Sequence, residues 1–482
     1  MSVTLAVSLV GMVVIGVLGF LGRRGRSANL AEWTVGRRSF GTFTMWFLQA
    51  GESFTTFTFL AVAGLAFTGG ASATYAIPYI PLAYLGLYFL GPKVWRLGKE
   101  HHYLTQADFF QERYGSPLLG RVVAVMGVVF LLPYLQLQIT GLGLIVKLVT
   151  GDASSGVLSM VLATVLTVAF VLWSGIRGVA STAYLKDALM ILAIFLVIAV
   201  VPVHFAGGVS AVFRRLQQTD PQALFVHTGH YDHTWWLTSI LISAIGSMFL
   251  TLPHLWPPLL SARDGGVVRR NNIFLPLYQL AIMLPIIIGY TGLLVLPRGT
   301  DDNAVLLTLT ARALPDWAVG FVAVAAAASA MVPAAVMCMG MSTLVAHNLV
   351  RPKGPRAQLW VNHGTVIAAA GLALVLGIVR PDLLANLLLL TFSGLAQLAP
   401  GLAAVVGRRR LLSAGPALLG MLAGVAVVAW MTFFEVSIAH INAGIVGLVV
   451  NIALAALAQL LVGKPRQVSS WATRRLAAEA AD

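Results

Sequence analysis

The residues of this chain best placed to do chemistry are an acid and an imidazole inside apolar segments, Glu52 and His254. Between Trp46 and Phe67 the sequence WFLQAGESFTTFTFLAVAGLAF is apolar at both ends and interrupted in the middle by Gln49, Gly51, Glu52 and Ser53. A carboxylate at the centre of a bilayer costs about 3 kcal/mol or more, so it faces a partner, a proton or a water-filled path. Of the 17 acidic residues, Glu52 alone reads as lying near mid-membrane. The second interruption is LTLPHLWPPLL at 250–260, where Pro253, Pro257 and Pro258 remove backbone donors and His254 brings a titratable ring. Unwound backbone at membrane depth is tolerated only where it lines a cavity or is packed in protein. Breaks at matching positions of two halves point to a midplane binding site.

The elements that must carry these residues are membrane helices. With 58% hydrophobic and 10% charged residues in 482, the chain reads as an all-α polytopic membrane protein. Apolar stretches long enough for a hydrocarbon core of about 30 Å number thirteen, the first beginning near Val3 and the last near Ile438. The net charge of +14 does not indicate nucleic acid, because all but Lys147, Arg214, Arg215, Arg298, Arg312 and Arg380 of the 31 basic residues fall in alternate loops. That is the positive-inside pattern. It places the N-terminus outside and the C-terminus in the cytoplasm of a cell inner (plasma) membrane. The first stretch has no basic residues ahead of it and reads as an anchor helix rather than a cleaved signal. Cys338 is the one cysteine, which leaves no disulfide framework within the chain.

Several runs together resemble the sodium:solute symporter family: WTVGRRSFGTFTMWFLQAGES, LTQADFFQERYG, SGIRGVASTAYLKD and MSTLVAHNLVRP. Three more, LLPYLQLQITGLG, LPHLWPPLLSARDGGVVRRNN and AMVPAAVM, look like its monocarboxylate permease branch. The resemblance implies a leucine-transporter-like core of ten helices in a 5+5 inverted repeat. Here the core would run over 42–406, preceded by an anchor helix and basic inner loop (1–41) and followed by two extra helices (407–463) and a cytoplasmic tail (464–482).

The family's usual sodium site takes backbone carbonyls from the broken first core helix and two adjacent hydroxyls from the eighth. By the match, the carbonyls are those of Ala50 and Ser53, and the hydroxyl positions hold Val332 and Pro333. Neither side chain offers the oxygen that sodium needs in place of water. The ion site is therefore expected to be degenerate, with H+ rather than Na+ as the coupling ion. Many members carry Asp where this chain has Ala183 and Gln where it has Lys186. Two readings of Lys186 follow: its ammonium replaces the missing ion and takes part in proton coupling, or it snorkels to the cytoplasmic surface beside Asp187.

A short monocarboxylate needs donors at one end and an apolar wall at the other. Candidate donors are the amides freed at the breaks, around Gly51, with Gln49, Gln136, Gln138 and His254. Phe54, Tyr134 and Trp256 are candidate wall residues, and Gln397, with Ser393, would close the site. Glu52, together with His254, is the candidate proton carrier. A lone membrane Gln equally serves to bond a neighbouring helix.

The expected function is alternating-access symport of small monocarboxylates such as lactate, pyruvate or acetate. The alternative is a sodium-coupled symporter of another small solute such as proline, pantothenate or a sugar. No enzyme activity, cofactor or metal is expected. His101 and His102, and the outer-loop group His227, His230, Asp232 and His233, have zinc-ligand residue types but no catalytic motif around them.

Overall fold

In the computed structural model, residues 2–22, 29–151, 156–227, 229–380, 382, 384–407, 410–463 and 465 are described. Apart from residue 465, the expected tail at 464–482 lies outside them, as do Arg23, Arg24, Arg26, Arg408 and Arg409 of the expected inner loops.

The regular structure of the described residues is helical, with one isolated bridge between Phe40 and Ala262. The helices that matter for the site are α1 (Val3–Gly22), α2 (Thr42–Ser53), α3 (Val62–Gly69), α4 (Tyr79–Glu100), α5 (Gln106–Tyr114), α6 (Pro117–Thr150), α7 (Gly156–Ala206), α8 (His233–Met248) and α9 (Trp256–Ser261). They are followed by α10 (Gly265–Gln279), α11 (Met283–Val295), α12 (Asp316–Thr343), α13 (Pro355–Val379), α14 (Leu384–Leu395), α15 (Ala399–Val406), α16 (Ala414–Phe433) and α17 (Ala443–Val462).

Ten helices among the described residues are long and apolar enough to cross a membrane, or eleven if the bent pair of α8 with the segment Pro253–Ser261 is one span. The expected thirteen are not resolved as separate helices. Two of the ten are far longer than one crossing: Phe57–Glu100 at 44 residues and α7 at 51. At 1.5 Å per residue α7 would be about 77 Å long if straight. It bends at Gly175, whose φ of 55° and ψ of −177° leave the helical region. Only glycine reaches that conformation without strain.

Loops that read as basic and inward are hydrogen-bonded to one another at one end of the bundle. Arg38 donates to the carbonyls of Leu260 and Tyr103, Arg177 to that of Gly36, Arg351 to Gln111, and Arg113 to the carbonyls of Val405 and Gly407. The amphipathic helix α5 belongs to this end and opens with a capping box between Thr105 and Asp108. Asp108 also accepts from Asn348, and Thr105 donates to the same residue, so the start of α5 is fixed to the end of the segment that continues α12.

Candidate functional site

The first break falls just after the polar run, not within it. Residues 49–53 are helical, and the chain leaves the helix at Phe54 (φ −94°, ψ 92°), then resumes as a π-turn over Phe57–Ala61 ahead of α3. Gly51 therefore does not unwind the helix. It permits close packing: a Cβ there would lie 3.2 Å from that of Ala183 and 3.6 Å from the Asp187 carboxylate on α7.

That approach brings Lys186 to the break. Its Nζ donates to the carbonyls of Gly51 (2.9 Å) and Phe54 (2.6 Å) and to Asp187 Oδ1 (3.0 Å), so the three ammonium protons have three acceptors. Asp187 also accepts from the Tyr278 hydroxyl at 3.1 Å. Lys186 is fully buried, which corrects the surface-snorkelling reading. Asp187 is buried with it, so Glu52 is not the one acid at membrane depth. The carbonyls expected to face an ion are otherwise engaged, that of Ala50 by the Phe54 amide and that of Ser53 by the Thr58 hydroxyl. Val332 and Pro333 are buried in α12.

The second break begins after Met248. Leu250 takes a positive φ of 53°, Pro253 opens a short 3-10 turn, and α9 follows at a bend of 42°. Neutral groups satisfy the freed backbone here. The Thr251 amide and hydroxyl both donate to the Gly246 carbonyl, and the Trp256 indole N–H donates to that of Leu250 at 2.8 Å. Gly340 of α12 passes so close that a Cβ there would sit 3.0 Å from the backbone of His254.

Between the breaks lies a cavity bounded by α2, α4, α6, α8, α9, α10, α14 and the second break. Of the candidate residues, Gln49, Glu52, Ser53, Tyr134 and His254 line it. Glu52 Oε1 is 3.6 Å from His254 Nε2, and both residues are buried. Neither Glu52 Oε1 nor His254 Nδ1 has a hydrogen-bond partner. The Tyr134 ring stands edge-on to the imidazole at 5.5 Å, with its hydroxyl 3.4 Å from that of Thr55.

The remaining candidates are elsewhere. Phe54 packs on Tyr278 and Trp256 on Phe109, outside the cavity lining. Gln136 donates to the Arg380 carbonyl, and Gln138 accepts from the Thr56 amide just past the first break. Gln397 donates to the carbonyls of Ser393 and Gly444 and accepts from Asn451, which ties α14 to α17 rather than closing the site. Ser393 bonds Asn442 beside it.

Sequence reasoning missed Tyr84, Asn272 and Gln279, all of which line the cavity. The available signal was Gln279, a lone amide in the apolar run FLPLYQLAIML. In the outer-loop group, Asp232 caps α8 through the Trp235 amide and pairs with His440 at 2.8 Å. His101 pairs with Glu112. Among the described residues no three His, Cys, Asp or Glu side chains are grouped to hold a metal.

Comparison with known proteins agrees with this architecture. The chain is 32% identical over 468 residues to an uncharacterized symporter, YhjB, of Bacillus subtilis, covering 93% of this chain and 95% of that protein. It is 30% identical over 352 residues to a monocarboxylate transport permease protein of Rhizobium johnstonii, covering 71% and 70%. A solved Na+-coupled sialic acid symporter in a substrate-bound outward-open state superposes with a TM-score of 0.79 at 16% identity, over 97% of this chain and 100% of that one, which makes the fold leucine-transporter-like. The model of the sodium:solute symporter family matches residues 33–424. The chain belongs to the sodium:solute symporter family.

Proposed function

We propose that this transporter takes up small monocarboxylates across the plasma membrane by proton-coupled symport, with its basic loops facing the cytoplasm and its ten-helix core at 42–406. The observation that carries the coupling is the Lys186 ammonium on the carbonyls of the first break. A fixed cation there does what a bound sodium ion would do, and loss of its proton would remove that charge, leave two N–H groups for three acceptors and loosen the break from α7. Glu52, 3.6 Å from His254 in the cavity, is the second proton carrier. The similarity to a monocarboxylate permease supports the substrate class.

Uptake of labelled lactate, pyruvate and acetate into proteoliposomes, with and without sodium and across pH, tests the reading. Accumulation is expected to follow the proton gradient and to ignore sodium. Uptake that needs sodium, or that accepts only proline, pantothenate or a sugar, would replace it with the sodium-coupled alternative. In Glu52→Gln, accumulation driven by the proton gradient is expected to fail. Full accumulation by that variant would remove Glu52 as an obligatory carrier.

A further inference from the structure

Counting protons along one hydrogen-bonded chain in the cavity fixes what its hydroxyls can still do. Ser53 Oγ lies 2.7 Å from the carbonyl oxygen of Gln49 and 2.8 Å from Tyr84 Oη, and Gln279 Nε2 lies 2.7 Å from the same Tyr84 oxygen. A carbonyl cannot donate, so the single Ser53 proton goes back to Gln49, the usual i to i−4 bond of a helical serine. The contact between the two hydroxyls then needs the Tyr84 proton. With that proton spent, Gln279 must present its N–H to Tyr84. Turning its carbonyl there would leave two oxygens 2.7 Å apart with no proton between them. The direction is therefore Gln279 to Tyr84 to Ser53 to Gln49.

Both hydroxyls have given away their protons, each retains lone-pair capacity, and both residues line the cavity. They can only accept from a bound solute. The opposite chemistry is available at Gln49, whose side-chain oxygen accepts from Asn271 at 3.1 Å and whose amide N–H groups are thereby left to donate. A carboxylate offers acceptors alone. It suits Gln49 and the imidazole of His254, and it finds nothing to share with Tyr84 and Ser53.

We infer that the cavity selects a monocarboxylate bearing a hydroxyl next to the carboxylate, with Tyr84 and Ser53 receiving the hydroxyl proton. This rests on the monocarboxylate reading above and narrows it to 2-hydroxy acids. Lactate, pyruvate and propionate share a three-carbon skeleton and differ at one position. Lactate brings a donor there, pyruvate an acceptor, and propionate neither.

The test is equilibrium binding of the three acids to the purified full-length protein, with displacement of labelled lactate as readout. Wild type is expected to prefer lactate over propionate by about tenfold, as one well-made hydrogen bond of ~1.4 kcal/mol would give. Pyruvate is expected to bind no better than propionate. In Tyr84→Phe and, separately, Ser53→Ala, the lactate-to-propionate ratio is expected to fall toward one. Equal binding of lactate and propionate by wild type, or tighter binding of pyruvate, overturns the inference and leaves the monocarboxylate reading standing. Binding of none of the three overturns both. A preference for alanine over lactate would also overturn it, by assigning the acceptors to an ammonium. Should one variant fail to fold, the wild-type ratios and the other variant still decide.

Discussion

The two breaks meet the same physical demand by different chemistry. Each frees backbone carbonyls at membrane depth, where a missing donor costs several kcal/mol. At the second break the donors are neutral and cannot change: the Trp256 indole on Leu250, and the Thr251 amide and hydroxyl on Gly246. At the first, neutral donors serve the Ala50 and Ser53 carbonyls, but those of Gly51 and Phe54 are met by an ammonium that itself leans on a buried carboxylate. Wherever backbone repair rests on an ionisable group, conformation and protonation are tied together. Repair by an indole ties conformation to nothing but packing.

The largest way to break this contrast is Lys186→Met. It leaves Asp187 buried without its counter-charge and two carbonyls without donors, and a loss of about 3–5 kcal/mol is expected. Thermal unfolding of the purified protein reads it. The double variant Lys186→Met with Asp187→Asn is expected to regain part of that stability while the pH profile of uptake loses the part that Lys186 carries and keeps the part that Glu52 carries. A double variant with the wild-type pH profile would dissolve the distinction between the breaks. Trp256→Phe should cost less, about 1–3 kcal/mol for one orphaned carbonyl, and the pH profile of uptake should keep its shape. Gln397→Leu is expected to cost about 1–3 kcal/mol by leaving the partners on α14 and α17 unsatisfied, with no change in which acids bind. That outcome separates a helix-bonding glutamine from a substrate ligand.

The smallest effect is expected at Asp108, outside the spans. Burial pushes its carboxyl up, but hydrogen bonding and charge from His347, with hydrogen bonds from the Leu104 amide and Asn348, outweigh it and hold the group below the ordinary carboxylate value. Its contribution is therefore present above that ordinary value and fades as pH falls through the lowered one. Asp108→Asn should cost about 1 kcal/mol near neutrality, as loss of a helix cap does, and flatten the acid side of the stability curve. Unfolding temperatures from mildly acidic to neutral pH provide the check.

The broad plan was legible because membrane burial writes a coarse signal. An acid, a glutamine and a proline-flanked histidine stand out in apolar runs, and Gln49, Glu52 and His254 do meet at one cavity. The position of the first break was displaced by a few residues, since polarity at 49–53 marks what the helix faces and not where its hydrogen bonds stop. Lys186 was ambiguous for a different reason. It lies beyond the bend at Gly175 in a 51-residue helix, and the sequence does not announce which neighbours the residues past that bend will meet. Gln136 and Gln397 illustrate the converse error, because a lone amide in an apolar helix is satisfied by any carbonyl on the next one. Tyr84 escaped notice because a tyrosine among aromatics gives no hint that its hydroxyl ends up between a serine and a glutamine.

The contact of Lys186 with the first break has one more consequence. A dissociable metal ion occupies its seat only as often as the surrounding medium supplies it, so dilution empties the seat. The positive charge seated on Gly51 and Phe54 is tethered by its own peptide chain. Its local abundance is set by covalent bonds, whatever the salinity outside, and the one thing it can trade with its surroundings is a hydrogen ion.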